Sequence, residues 1–241
     1  MILGIDASNI RIGGGVTHLM ELLRAANAPA QGFAQVIVWS GRDTLRQIED
    51  RPWLVKAHLP VLDKGLPRRT LWQRFHLSNL ARAAGCDLLF VPGGSYAGDF
   101  RPMVSMSQNL LPFEWTELRR FRWSLLTLKW LLLRGTQTNT FRHANGVIFL
   151  TQYARDAVLR VTGALPCKTV IIPHGIRDLF ASPPREQKPL NRYSFDQPFL
   201  ILYVSIVDMY KHQWHVAEAL ARLRASGFPV TLDLVGPAYA P

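Results

Sequence analysis

Cysteine is almost missing from this chain: 241 residues contain two, Cys86 and Cys167, far apart and without metal-site spacing. That excludes a disulfide framework and a cysteine-rich zinc site, and two such thiols suit a reducing compartment. Long apolar runs are missing too. No stretch reaches the roughly 18 uninterrupted apolar residues of a membrane-spanning helix. The opening MILGID is a six-residue run with no basic segment before it, too little for a secretory signal. The expected location is therefore cytoplasmic. Acidic residues are scarce, with 17 Asp+Glu against 28 Lys+Arg and a formal net charge of +11. Such a balance favours anionic partners: nucleic acid, an acidic bilayer or phosphorylated small molecules. No helix-turn-helix, zinc or RNA-binding signature accompanies the charge, so nucleic acid is not an expected partner.

What is present is alternation. Apolar, β-rich runs at 1–6, 35–39, 87–91, 102–107, 146–150, 169–173, 199–204 and 230–236 predict strands. They are continuous rather than alternating in polarity, as parallel strands covered on both faces are. Helical spacing lies between them, at Val16, Leu19, Met20 and Leu23 and again at Leu118, Phe121, Leu125, Leu128 and Leu132. Strands alternating with helices predict an α/β parallel sheet. Residues 181–198, ASPPREQKPLNRYSFDQP, are proline-rich and polar, a linker signature. The expected organisation is a domain over 1–180, a linker over 181–198, and a second unit over 199–241. The last supplies strand, helix and strand, and leaves sheet edges uncovered. The expectation is a chain that is part of something larger.

Five segments hold the candidate chemistry. In GIDASNIRIGGGVTHLMELL a buried strand runs into Gly13, Gly14 and Gly15, which open a helix. Glycines let a backbone approach a ligand closely, and a helix N-terminus favours an anion. The dinucleotide fingerprint fails because position 18 is His, and no P-loop lysine follows. Gln108 and Asn109 follow a strand end, where open α/β sheets place ligands and where carboxamides can bond sugar hydroxyls. His174 and Gly175 end the strand run TVIIP. Lys211 lies in the loop before a helix starting near Gln213, where a cation is electrostatically wasteful unless it answers an anion such as a diphosphate. The fifth segment, 115–135, reads as one helix with two apolar stripes: Leu118, Phe121, Leu125, Leu128, Leu132, and Trp123, Leu126, Trp130, Leu133. Arg122 and Lys129 lie between the stripes. Such a helix is either buried between two neighbours or interfacial on anionic lipid through Arg122, Trp123, Lys129 and Trp130.

Taken in order, GGGVTHLMELL, SQNLLPFE, VIFLTQYARDAV, VIIPHGI and ILYVSIVDMYKHQWHVAEAL resemble the retaining, nucleotide-sugar-dependent glycosyltransferases of family four with the GT-B fold, the glycogen-synthase-like group. The likeness covers nearly the whole chain. It implies two Rossmann-like domains facing across a cleft, the N-terminal one for the acceptor and the C-terminal one, incomplete here, for the nucleotide sugar. By resemblance Lys211 neutralises the donor diphosphate, and Gly13, Gly14 and Gly15 approach that phosphate. Gln108 takes the place of the family's His near the transferred sugar, with Asn109 beside it, while Ser205, His174 and Gly175 line the cleft.

The chain also departs from the pattern. Ile206 stands where the family has a second phosphate-binding Arg, and Gln108-Asn109 replaces His-Asp. The family's paired glutamates, eight positions apart, are expected beyond Pro241, so this polypeptide alone is expected to transfer little sugar. The implied reaction moves a hexose to a glycan or lipid-linked acceptor with retention, in cell-surface polysaccharide synthesis. It needs no cofactor or metal, and it takes place in the cytoplasm or peripherally on the anionic inner face of a membrane. A GT-B-type sugar-nucleotide epimerase and a non-catalytic basic binding module are the alternatives.

Overall fold

The computed structural model describes residues 1–122, 124–176, 181–184 and 186–237. The chain forms two compact units, Met1–Gly175 and Ile176–Pro241. The domain boundary expected at residue 180, the expected end at 241 and the candidate Trp123 all fall outside the described residues.

In the first unit seven parallel strands form one sheet. They are β1 (Ile2–Asp6), β2 (Gln35–Trp39), β3 (Leu54–Ala57), β4 (Leu88–Val91), β5 (Met103–Ser107), β6 (Gly146–Phe149) and β7 (Lys168–Ile171). Their order is β3-β2-β1-β4-β5-β6-β7, and every pairing is parallel. Helices α1 (Gly14–Ala25), α2 (Arg42–Gln47), α3 (Leu66–Trp72), α4 (Ser78–Ala83), α5 (Trp115–Arg120), α6 (Leu125–His143) and α7 (Gln152–Thr162) connect them. Successive side chains on a strand face opposite ways, so one strand feeds two cores. Val36 and Val38 join Ile5, Val16, Leu19 and Leu45 on the α1–α2 face. Their neighbours Ile37 and Trp39 join Trp72, Leu77, Phe141 and Phe149 on the other. A parallel α/β sheet is what the strand–helix alternation predicted, and its Rossmann-like form is what the resemblance implied.

Two expectations need correction. β3 was not among the expected strands, because it is a four-residue edge strand interrupted by Lys56, with no continuous apolar run to announce it. Its lysine reaches out of the sheet to the Ile48 carbonyl and Asp50. The single helix expected over 115–135 is two helices, α5 and α6. Arg122 adopts a left-handed φ of 51°, which ends the first. Ser124 then caps the second, its Oγ accepting from the Thr127 amide at 3.2 Å. No glycine or proline marks the break, so the periodicity runs across it.

The second unit is a parallel pair, β8 (Phe199–Val204) and β9 (Val230–Val235), joined through α8 (Gln213–Ala225). Along β8 burial alternates, with Leu200, Leu202 and Val204 exposed. The proline-rich stretch before it carries one short 3₁₀ turn, Leu190–Arg192.

Candidate functional site

β1 pairs with β2 on one side and β4 on the other, and the chain reverses its direction of travel across the sheet there. In open parallel sheets, ligands bind outside the carboxyl ends of strands at such a switch. The loop after β1 leads through Gly13 into α1. Gly13 has φ 69° and ψ −155°, and α1 starts with no side-chain cap and no acidic residue in its first turn. A Cβ at Gly13 or Gly14 would meet nothing within 4 Å, so the space before the helix is open. Orphan amides in a first turn, together with the helix dipole, suit an anion.

Gly15 faces the end of β5. A Cβ there would lie 3.5 Å from Gln108 Oε1, so the carboxamide closes in on the glycine turn. Gln108 Nε2 points to the Met106 sulfur at 3.3 Å. Asn109 is engaged locally, its Oδ1 accepting from the Leu111 amide at 3.1 Å to open a 3₁₀ turn. One turn along α1, His18 meets His174 edge to face, with ring centroids 4.8 Å apart. Burial first, and the His174 imidazole second, hold His18 below the usual imidazole range. Its Nε2 is buried and lacks a hydrogen-bond partner. His174 and Gly175 themselves are exposed. The structure thus links Gly15, Gln108, His18 and His174 into one contiguous group.

Beside this group lies a buried polar set that the sequence did not reveal. Asp6, at the end of β1, accepts from the Ser8 amide at 3.1 Å and from the Gln73 carboxamide. Gln73 also donates to the Ser95 carbonyl and accepts from the Ala97 amide, so one side chain ties β1 to the loop after β4. Arg69 donates to the Ser8 carbonyl at 3.0 Å. Gln73 opens a π-helical turn, Gln73–Leu77, between α3 and α4, and such turns recur at functional sites. Burial pushes the Asp6 carboxyl above its usual range, against the hydrogen bonds from Ser8 and Gln73. Asn9 Oδ1 and Ser95 Oγ are buried without partners. His18 was visible in sequence only as a break in the dinucleotide pattern. Arg69 and Gln73 carried no signal, because their partners Ser8 and Asp6 lie 61 and 67 residues away in sequence.

In the second unit Lys211 ends a 3₁₀ turn, Met209–Lys211. Its Nζ stands 5.0 Å from the Tyr210 ring centroid. Tyr203 donates to its carbonyl. His212 follows in the left-handed region at φ 59° and starts α8. That conformation favours glycine or asparagine, so a histidine there is uncommon. Buried Gln213 donates to the Ile206 carbonyl at 2.7 Å, fixing the loop to the helix start. Ser205 extends the ladder, its amide donating to the Val235 carbonyl.

The remaining candidates lie on α6 and just before it. Arg122 and Lys129 are exposed, whereas Trp130 is half-buried with its indole nitrogen sealed from solvent. No helix among the described residues is long and apolar enough to cross a membrane.

A family model described as Glycosyltransferase Family 4 matches residues 12–178. No curated protein matches the chain. Among solved structures, sucrose-phosphate synthase from Thermosynechococcus elongatus is similar in fold, with a TM-score of 0.52 at 14% identity over 98% of this chain and 70% of that one.

Proposed function

The chain belongs to glycosyltransferase family 4, and from that premise we propose that it moves a hexose from a nucleotide sugar to a glycan or lipid-linked acceptor, with retention, in the assembly of cell-surface polysaccharide. The observation that carries this reading is the uncapped glycine turn of α1, open to solvent at Gly13 and Gly14 and with Gln108 Oε1 3.5 Å from where a Cβ on Gly15 would stand. The leaving group in such a reaction is a nucleoside diphosphate. Its departure is eased by whatever stabilises the charge developing on its phosphate. In this proposal Lys211 supplies positive charge and the first-turn amides of α1 take phosphate oxygens. Gln108 holds a sugar hydroxyl by hydrogen bonds, since a carboxamide has no proton to exchange at neutral pH. Asn109 supports it through its turn, and Ser205, His174 and Gly175 border the ligand. Turnover is proposed to be independent of metal, so a chelator should leave it unchanged. A lipid-linked acceptor would put the protein on the cytoplasmic face of a membrane.

Titration calorimetry with uridine, guanosine and adenosine diphosphates tests the reading, followed by assignment of the product's anomeric configuration by NMR. One diphosphate should bind, and Lys211→Ala should weaken it about ten- to a hundredfold, the worth of one hydrogen bond to a charged group. Binding of none of them, or unchanged affinity in Lys211→Ala, would overturn it.

A further inference from the structure

α6 is longer than the sheet it covers. Its buried Gln137 lies level with the carboxyl ends of β4 and β5. A Cβ on Gly94, just after β4, would stand 2.9 Å from Gln137 Nε2 and 3.0 Å from the Met106 carbonyl oxygen. Leu125 comes twelve residues earlier, which at about 1.5 Å per residue sets the helix start roughly 18 Å farther along the helix axis. With no sheet beneath it, this half keeps its leucines in solvent: Leu125 is 86% exposed, Leu128 54% and Leu132 63%. The three stand at i, i+3 and i+7, on one side of the helix. Beyond Gln137 the helix turns conventional, with Thr140 and Phe141 buried.

The company of these leucines is cationic. Arg119, Arg122, Lys129 and Arg134 lie in and around the projection, Arg120 is paired with Glu117 at 3.0 Å, and no acidic residue occurs between 118 and 143. The half-exposed Trp115 of α5 has the Arg119 and Arg134 guanidinium groups 5.4 and 5.7 Å from its ring. On the same layer α3 also starts at the carboxyl edge, with Leu66 and Leu71 exposed beside Arg68. Apolar side chains ringed by cations fit an occupant that is apolar inside and anionic at its surface. A second copy of this chain fits poorly, since a two-fold contact on this face would set like charges against one another.

We propose that the projecting half of α6, residues 125–132 with Lys129 and the neighbouring arginines, docks the protein on an anionic lipid bilayer. The leucines enter the acyl boundary and the cations meet the headgroups. The helix projects from the same sheet edge that holds the glycine turn and Gln108. This deepens, and for its purpose rests on, the lipid-linked-acceptor reading above, but its test needs no turnover.

The test is flotation of the full chain with vesicles of about 30 mol% phosphatidylglycerol in phosphatidylcholine, against pure phosphatidylcholine. Wild type should bind the anionic vesicles and release them as salt rises. Replacing Leu125, Leu128 and Leu132 together by Ser should lower partitioning about thirtyfold or more. Lys129→Glu alone should lower it about tenfold. All three leucines are exposed, so the triple variant should unfold at the wild-type temperature. Equal binding to neutral vesicles, or a triple variant within about twofold of wild type, would overturn the proposal. So would a wild-type dimer that the triple variant dissolves. A triple variant that loses vesicles yet keeps wild-type affinity for nucleoside diphosphate supports it. Vesicle binding by a wild type that binds no nucleoside diphosphate would refute the transferase reading and leave the docking surface standing.

Discussion

Substituting Gly13 tests the geometry on which the functional reading depends. Gly13 has φ 69° and ψ −155°, a region open almost solely to glycine, where another residue costs about 1–3 kcal/mol. A Cβ there would touch nothing within 4 Å, so the whole penalty of Gly13→Ala lies in the backbone. For a unit of this size about 2 kcal/mol is a fall of roughly 4–8 °C in Tm. Gly32 supplies the control. Its φ of 81° and ψ of 10° are left-handed helical, where alanine costs about 1–2 kcal/mol but asparagine is tolerated. Asparagine should therefore restore most of the loss at 32 and none at 13. Urea unfolding followed by tryptophan fluorescence is the assay, because six of the seven tryptophans precede residue 176 and so report the first unit. The reasoning fails if Gly13→Ala lies within about 0.5 kcal/mol of wild type, or if Gly13→Asn recovers as Gly32→Asn does.

Two further outcomes follow from buried groups. Asp6 is buried and its carboxyl lies above the ordinary 3.8. The folded state thus holds that proton more tightly than the unfolded chain, and the contribution of Asp6 to stability declines as pH rises from about 4 through the raised value. Urea midpoints across that range should show the decline in wild type and a flatter profile in Asp6→Asn, whereas Asp6→Ala, which strands the Gln73 carboxamide and the Ser8 amide, should cost about 2–5 kcal/mol. Cys86 is buried and its thiol is pushed up to about 11, by desolvation first and by Asp87 second. Its native-state labelling by a disulfide reagent at pH 8 should run about a hundredfold slower than that of a free thiol, and a fast first phase at Cys86 would contradict the burial.

How much of this could be read from sequence depended on whether a residue acts through its neighbours in the chain or through space. Gly13, Gly14 and Gly15 were legible because glycine reports directly on backbone conformation. Gln108 was legible because a polar residue after an apolar run marks a strand end. His18 was not, since its meaning comes from His174 across the fold. Gln73 was not, since its partner Asp6 lies 67 residues away in sequence. β3 escaped because edge strands tolerate a lysine. The break between α5 and α6 escaped because Arg122 takes a conformation that no local residue type announces. The leucines of α6 were visible as a stripe, but periodicity cannot say whether a stripe meets a core. Only the length of the helix against the sheet settles that.

The carboxyl edge of the first unit therefore holds two kinds of polar arrangement with opposite consequences. Around Asp6 the carboxylate and the Gln73 carboxamide are engaged with one another and with the Ser8 and Ala97 amides and the Ser95 carbonyl. These bonds join β1, the π turn and the loop after β4, and buried hydrogen bonds of this kind rigidify what they join. At Gly13 and Gly14 the reverse holds, with no side-chain cap, no first-turn acid and nothing within 4 Å of where a Cβ would stand. An edge rigid at one strand end and open at the next positions a ligand without filling its place. Loosening the rigid part should blur the open one. Asp6→Ala is therefore expected to weaken nucleoside diphosphate binding by several-fold although Asp6 meets no phosphate in the proposal, and Gln73→Ala should do the same by about the same factor, because each removes the same tie. The double variant should be no weaker than either single. Additive losses in calorimetry would mean that Asp6 and Gln73 act separately, and the link from the buried network to the glycine turn would have to be given up.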